Sequence, residues 1–159
     1  MMTFSGLISI LEAQAKLHES LYKLAQRKTE ALKKNDMDAL SMLMNEEQKH
    51  IFAIRQFEER RVRWMEKTFP NAQNMTITRC IELADKTERE KLTKLYERLT
   101  ETITQLKQAN ELNKQLLEQS LQFVSAMLDV AMPSAQPITY NETNQYEESL
   151  NRSIFESKA

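Results

Sequence analysis

The chain has 159 residues, 41% of them hydrophobic and 28% charged, and its 22 Lys+Arg against 23 Asp+Glu leave a formal net charge of −1. That length fits one ordinary domain, and the charge balance excludes a general attraction for nucleic acid or an anionic membrane surface. A single glycine (Gly6) and three prolines (Pro70, Pro133, Pro137) leave residues 7–69 and 71–132 without either, which excludes a sheet protein punctuated by frequent turns and points to an all-α fold of long helices.

Cys80 is the only cysteine, so no internal disulfide can form, which suits a reducing cytosol. The opening stretch MMTFSGLISILEAQAKLHES lacks a basic leader, and Glu12, Gln14 and Lys16 interrupt its apolar residues. It therefore does not read as a secretory signal, and no run approaches the roughly eighteen apolar residues of a membrane span.

The first predicted helix runs from about Thr3 to Lys34. Phe4, Leu7, Ile8, Leu11, Ala15, Leu21, Leu24, Ala25, Ala31 and Leu32 recur in steps of three and four and make one stripe. Asn35-Asp36 breaks it, and the Asp36 carboxylate suits an N-cap for a second helix from Met37 to about Phe69. The stripe expected there is Met37, Leu40, Met44, Ile51, Ile54, Phe57, Val62, Met65 and Phe69. Two helices of similar length, each about 50 Å long, joined by a short break form an antiparallel hairpin.

The segment FPNAQN (69–74) is a loop, followed by a short helix over about Met75 to Asp85. Thr87-Glu88-Arg89-Glu90 reads as a capping box, with Thr87 as cap. The last long helix continues to about Ala131, roughly 65 Å. Its stripe is Leu92, Leu95, Leu99, Ile103, Leu106, Asn110, Asn113, Leu117, Leu121, Val124 and Leu128. No single stripe can be buried alone, so the three long helices are expected to bury theirs together as a bundle over residues 1–131. The same stripes would also serve a homodimer. Residues 132–159 form a polar tail: 132–146 reads as a mobile linker, and Leu150, Ile154 and Phe155 space one or two amphipathic turns.

The usual chemistries are missing. One glycine excludes a phosphate-binding loop. Cys80, His18 and His50 are too scattered for a zinc site or a Cys–His nucleophile, and a lone helical cysteine is commonly a small core residue. Glu47 and His50 have the Glu-x-x-His spacing of di-iron bundles, but no second pair exists. Arg60, Arg61, Arg63 and Lys67 are interleaved with Glu58, Glu59 and Glu66, the pattern of a solvated face. Trp64 beside them is either core or the edge of a binding surface. The chain is read as a non-enzyme that needs no cofactor and no metal.

Two features need another account. Asn110 and Asn113 occupy stripe positions, where a buried amide must be hydrogen-bonded or cost roughly 1–3 kcal/mol. They either lock helix register or face a partner through a locally open stripe. In the tail, Tyr140, Tyr146, Leu150, Ile154 and Phe155 either anchor a partner or fold back onto the bundle.

The ordered set of motifs resembles the FlgN-type flagellar export chaperones over most of the chain. It consists of the Leu-rich first helix, then Glu30-Ala31-Leu32-Lys33-Lys34-Asn35-Asp36-Met37-Asp38-Ala39-Leu40, then Lys49. Next come Asn110-Glu111-Leu112-Asn113-Lys114-Gln115-Leu116-Leu117 (an N-x-x-N segment) and finally Thr139-Tyr140-Asn141. The family's glycine a few residues beyond that tyrosine has no counterpart here. The resemblance implies a cytoplasmic chaperone that holds hook-associated (hook–filament junction) proteins before assembly and brings them to the type III export gate. It implies substrate contact near the end of the last helix and in the tail, including Val124, Leu128, Asn141, Tyr146, Leu150, Ile154 and Phe155. It implies contact of Tyr140 with the export-gate membrane protein, and the export ATPase as a further partner. The alternative is a structural coiled coil that self-associates through its stripes and delivers nothing.

Overall fold

A computed structural model describes residues 2–132 of the chain, and the tail from residue 133 onward lies outside the described residues. The elements in order are α1 (Ser5–Lys33), α2 (Met37–Thr68), α3 (Ile77–Leu83) and α4 (Lys86–Ala131). The all-α expectation holds, and the described residues contain no strand. Helix α1 is central: it packs on α2 along one side and on α4 along the other, and α3 packs on α4. Pairing of Gln14 with Glu58 and of Ser20 with His50 sets α2 antiparallel to α1. Pairing of Phe4 with Glu88, Glu19 with Arg98 and Thr29 with Asn113 sets α4 parallel to it.

Helix ends follow from local chemistry. The expected break at Asn35-Asp36 is there: Asn35 takes the left-handed conformation at φ 54°, one that asparagine tolerates better than most side chains. The Asp36 carboxylate accepts from Ala39 N–H at 3.1 Å and caps α2. The cap of α4 differs from the expectation. It is Asp85, accepting from Glu88 N–H at 2.8 Å, and not Thr87, which lies inside the first turn. Asp85 is in extended backbone where the preceding short helix has already ended, so its carboxylate reaches the orphan donors first. That short helix is also tighter than the expected Met75–Asp85 span, because Thr76 caps it at one end and Ala84 is extended at the other. Glu88, which lies within the expected capping box but is not its reaching glutamate Glu90, joins α4 to α1. Glu88 Oε2 accepts from Phe4 N–H at 2.8 Å at the start of α1, placing one carboxylate between the N-termini of two parallel helices, where their dipoles favour negative charge. Arg89 closes the same end by donating to the carbonyls of Ile81, Glu82 and Ala84, each at 3.1 Å.

All ten expected positions of the α1 stripe are buried. The α2 stripe needs correction. Met37, Met44 and Val62 are exposed, and the buried set is Leu40, Leu43, Glu47, Ile51, Ile54, Glu58, Arg61 and Met65. Its steps are all three or four, as a helix facing one neighbour requires. Following apolar residues alone missed it because three of its eight positions are charged.

The core has two apolar parts. One gathers Phe4, Leu7, Leu11, Ala15, Met65, Ile77, Cys80, Leu92, Leu95 and Leu99 at the α3 end. The other gathers Leu21, Leu24, Ala25, Leu32, Leu40, Leu43, Ile51, Ile54, Ile103 and Leu106 toward the α1–α2 turn. Each fully buried large apolar side chain contributes about 1.5–3 kcal/mol. Between the two parts lies a polar layer. Buried Gln14 donates to Glu58 Oε2 at 3.1 Å, and Arg61 donates to both Glu58 oxygens at 3.0 and 2.5 Å.

Candidate functional site

The last third of α4 has no neighbour over its apolar face among the described residues, and register explains why. Asn113 is buried between α4 and α1, its Nδ2 donating to Ala25 O at 2.9 Å and its Oδ1 accepting from Thr29 Oγ1 at 2.5 Å. Parallel helices climb together, so Lys33, the last residue of α1, is level with Leu117. Leu116 and Leu117 are the last α4 residues packed on the apolar core. Residues 118–131 therefore extend beyond the hairpin by about 20 Å at about 1.5 Å per residue.

The composition of the helix changes at the same place. Up to Leu106 the apolar positions form a narrow seam. Beyond Asn113 the apolar residues of the helix are Leu116, Leu117, Leu121, Phe123, Val124, Ala126, Met127, Leu128, Val130 and Ala131, which at about 100° per residue fill an arc of about 220°. Phe123 is 67% exposed, Met127 55% and Val130 83%. Within 115–132 the only charged residues are Glu118 and Asp129. A half-cylinder of apolar surface on a soluble helix marks a contact site.

Of the positions expected to touch a partner, Val124 and Leu128 lie on this segment: Val124 is exposed and Leu128 half-buried. Tyr140, Asn141, Tyr146, Leu150, Ile154 and Phe155 lie outside the described residues. Phe123, Met127 and Val130 are more exposed than the stripe positions and were missed, because they sit beside the stripe. The signal available in sequence was the widening of the apolar arc. The two asparagines have different surroundings. Asn113 is the register lock, whereas Asn110 is half-buried with its Nδ2 out of water and unpartnered among the described residues.

The other candidates resolve into structure. Glu47 and His50 do not act as a pair: Lys28 Nζ lies 2.8 Å from Glu47 Oε2, and His50 meets Glu46 O at 2.8 Å and Ser20 Oγ at 2.9 Å. Cys80 is buried with its Sγ 3.8 Å from Met65 Sδ, and burial pushes its thiol up to about 11. His18 is buried with Nδ1 2.7 Å from Gln14 O, and desolvation lowers its pKa although that hydrogen bond and Glu58 oppose the shift. Arg61 belongs to the core and Arg60 lies 4.7 Å over the Phe57 ring, so the basic cluster is not one surface patch. Trp64 is half-buried at the edge of the core, 5.8 Å from Phe4 and 6.1 Å from Phe69 between ring centroids. Among the described residues no group of His, Cys, Asp and Glu could hold a metal ion, and no helix is long and apolar enough to cross a membrane.

Comparison with known proteins agrees with the motifs. The sequence pattern of the family described as FlgN protein matches residues 1–148. An uncharacterized protein of Bacillus subtilis (strain 168), YvyG, is 36% identical over 160 residues, covering 99% of this chain and 100% of its own length. No solved structure matches. A match over residues 1–148, which takes in the whole helical bundle, places this chain in the FlgN family.

Proposed function

We propose that this chain is a cytoplasmic chaperone of flagellar type III export that holds hook-associated proteins and delivers them to the export gate. The observation that carries the reading is the uncovered apolar half-cylinder of α4 beyond the hairpin. An assembly segment of a hook-associated subunit is amphipathic and cannot stand bare in water. A helix with an arc about 220° wide covers more of such a segment than a narrow seam does. Binding of this kind needs no ATP chemistry in the chaperone itself, and release follows when the export apparatus competes for the subunit.

The chain would work in two parts: residues 1–131 as a rigid bundle and 132–159 as a second contact. Phe123, Val124, Met127 and Leu128 would provide the platform. Tyr146, Leu150, Ile154 and Phe155 would close over the same substrate. Tyr140 and Asn141 would face the export-gate membrane protein, with the export ATPase as a later partner.

Calorimetric titration with a hook-associated subunit tests this. The full chain should bind, and Val124→Glu with Met127→Glu should weaken binding at least tenfold while leaving helicity unchanged. Residues 1–132 alone should bind more weakly than the full chain. Equal binding by wild type and the double variant would remove the α4 platform from the reading. No binding by the full chain would remove the chaperone assignment.

A further inference from the structure

A groove lies between α1 and α2 on the side away from α4. Its floor is Ala31, Ala39 and Leu43, and Met42 on its edge is 70% exposed. It spans residues 23–31 of α1 and 39–49 of α2, about 12–15 Å at about 1.5 Å per residue. Its rim carries Lys23, Arg27 and Lys49 against Glu30 and Glu46. Both carboxylates are taken, Glu30 by Lys33 and Glu46 by Lys49. Glu19, one turn from Lys23, is taken by Arg98. Lys23 and Arg27 form no ion pair among the described residues, so the groove offers an apolar floor beside two spare positive charges.

We propose that this groove is the docking site of the chain's own tail: residues 146–156 lie in it as a short helix, with Tyr146, Leu150 and Ile154 on the floor. Three observations support it. The first is pattern. Tyr146, Leu150 and Ile154 recur in steps of four, a narrow helical stripe suited to a floor of two alanines and a leucine. From 146 to 154 such a helix is about 12 Å long, the length of the groove. The second is charge. The segment carries Glu147, Glu148 and Glu156 against Arg152, and its excess of negative charge meets Lys23 and Arg27. The third is reach. With Asn113 level with Thr29, the near end of the groove at Ala31 is level with residue 115, about 24 Å back from Ala131. Two helix diameters, about 20 Å, separate it sideways from α4, so the direct span is about 31 Å. The 14 residues 132–145 cover up to about 50 Å when extended. The groove at the other end of the bundle, lined by Phe69, Pro70 and Met75, is out of range. Phe69 packs on Phe4, which is level with Glu88, about 65 Å from Ala131. The tether thus selects the α1–α2 groove, and the high effective concentration it confers lets a small contact suffice.

The docking needs no substrate; only its consequence rests on the chaperone reading. Tyr146, Leu150 and Ile154 are side chains which that reading gives to the substrate, so a docked tail withholds them until a substrate competes. Apparent affinity then falls in proportion to the fraction of chains whose tail is free.

The test is a nitroxide on Ala159→Cys of the full chain, read by NMR on carbon-13 alanine and methionine methyls; Cys80 is buried and stays unlabelled. The methyls of Ala31, Ala39 and Met42 should broaden. Lys23→Glu with Arg27→Glu, and separately Leu150→Glu with Ile154→Glu, should each cut that broadening at least threefold at unchanged helicity by circular dichroism. Diluting the labelled chains tenfold with plain ones should change nothing, because the contact lies within one chain. Broadening lost on dilution overturns the proposal, since the tail would then reach another copy. Broadening at Met127 instead overturns it and puts the tail on the α4 overhang, and no selective broadening overturns it outright. In calorimetry, Lys23→Glu with Arg27→Glu should bind a hook-associated subunit about threefold tighter than wild type. Equal affinity overturns the withholding of the tail. No binding by either chain removes the chaperone reading instead, and the nitroxide alone then decides the docking.

Discussion

Replacing Asn113 and Asn110 one at a time separates two residues that look alike in sequence. Asn113 makes two buried hydrogen bonds, to Ala25 O at 2.9 Å and from Thr29 Oγ1 at 2.5 Å. In Asn113→Ala both are lost and a small void opens. Thr29 Oγ1 can turn back to Ala25 O, already 3.1 Å away, so one donor is rescued. Each lost bond is worth about 1 kcal/mol and the void adds to it, so a loss of about 2 kcal/mol is expected. In a chain of this size that lowers Tm by about 4–8 °C. Asn110 has the opposite balance. Its Nδ2 is out of water without a partner, and replacing an unsatisfied amide with an apolar group of similar shape removes a desolvation cost. Asn110→Leu should leave Tm unchanged or raise it by a few degrees, about 2–4 °C per kcal/mol gained. Thermal unfolding by circular dichroism, with urea titration for the free energies, checks both. Equal losses in the two variants would refute the distinction and mean that the amides share one role.

Three further outcomes follow from the same structure. A Cβ built on Gly6 would lie 2.7 Å from Trp64 Nε1 and 3.1 Å from Cδ1; Gly6→Ala should therefore destabilise by about 1–2 kcal/mol, since displacing a packed indole outweighs a helix-propensity gain of at most about 1 kcal/mol, and a gain in urea midpoint would refute the close approach. The His18 pKa is lowered in the folded chain by desolvation, so the unfolded chain binds the extra proton first; stability should fall as pH drops from the unfolded value of 6.5 toward the folded one, and this slope should flatten in His18→Gln relative to wild type. Cys80 is buried with its thiol raised to about 11, so at neutral pH a thiol reagent should label it only as fast as the chain opens, and rapid labelling of folded protein would show the α3 end to be open.

Most of the architecture was legible because it rests on period and punctuation. The α1 stripe could be read residue by residue, since all its apolar positions face two neighbours and none carries charge. The Asn35-Asp36 break was legible because a left-handed residue followed by an N-cap has a short list of suitable side chains. The α2 stripe was harder, since Glu47, Glu58 and Arg61 hold core positions. Their burial depends on Lys28 and Gln14, which belong to another helix. A pattern that follows apolar residues within one helix has no access to partners supplied by the next. The α4 cap failed for a similar reason. Thr87-Glu88-Arg89-Glu90 satisfies the local rule, but Asp85 offers the same chemistry two residues earlier, and Glu88 serves α1 instead.

The projecting helix follows from lengths that local rules fix separately. The break after Lys33 ends α1, whereas α4 meets no comparable break before Met132. Once Asn113 sets the two helices in register at Thr29, the excess of α4 over α1 must project past the turn. Its apolar arc broadens only there, where no partner remains among the described residues. Stability alone does not account for this pattern, since an unpartnered end would be better polar all round. Left bare, the added Phe123, Met127 and Val130 are a cost, and that cost is offset when another segment covers them.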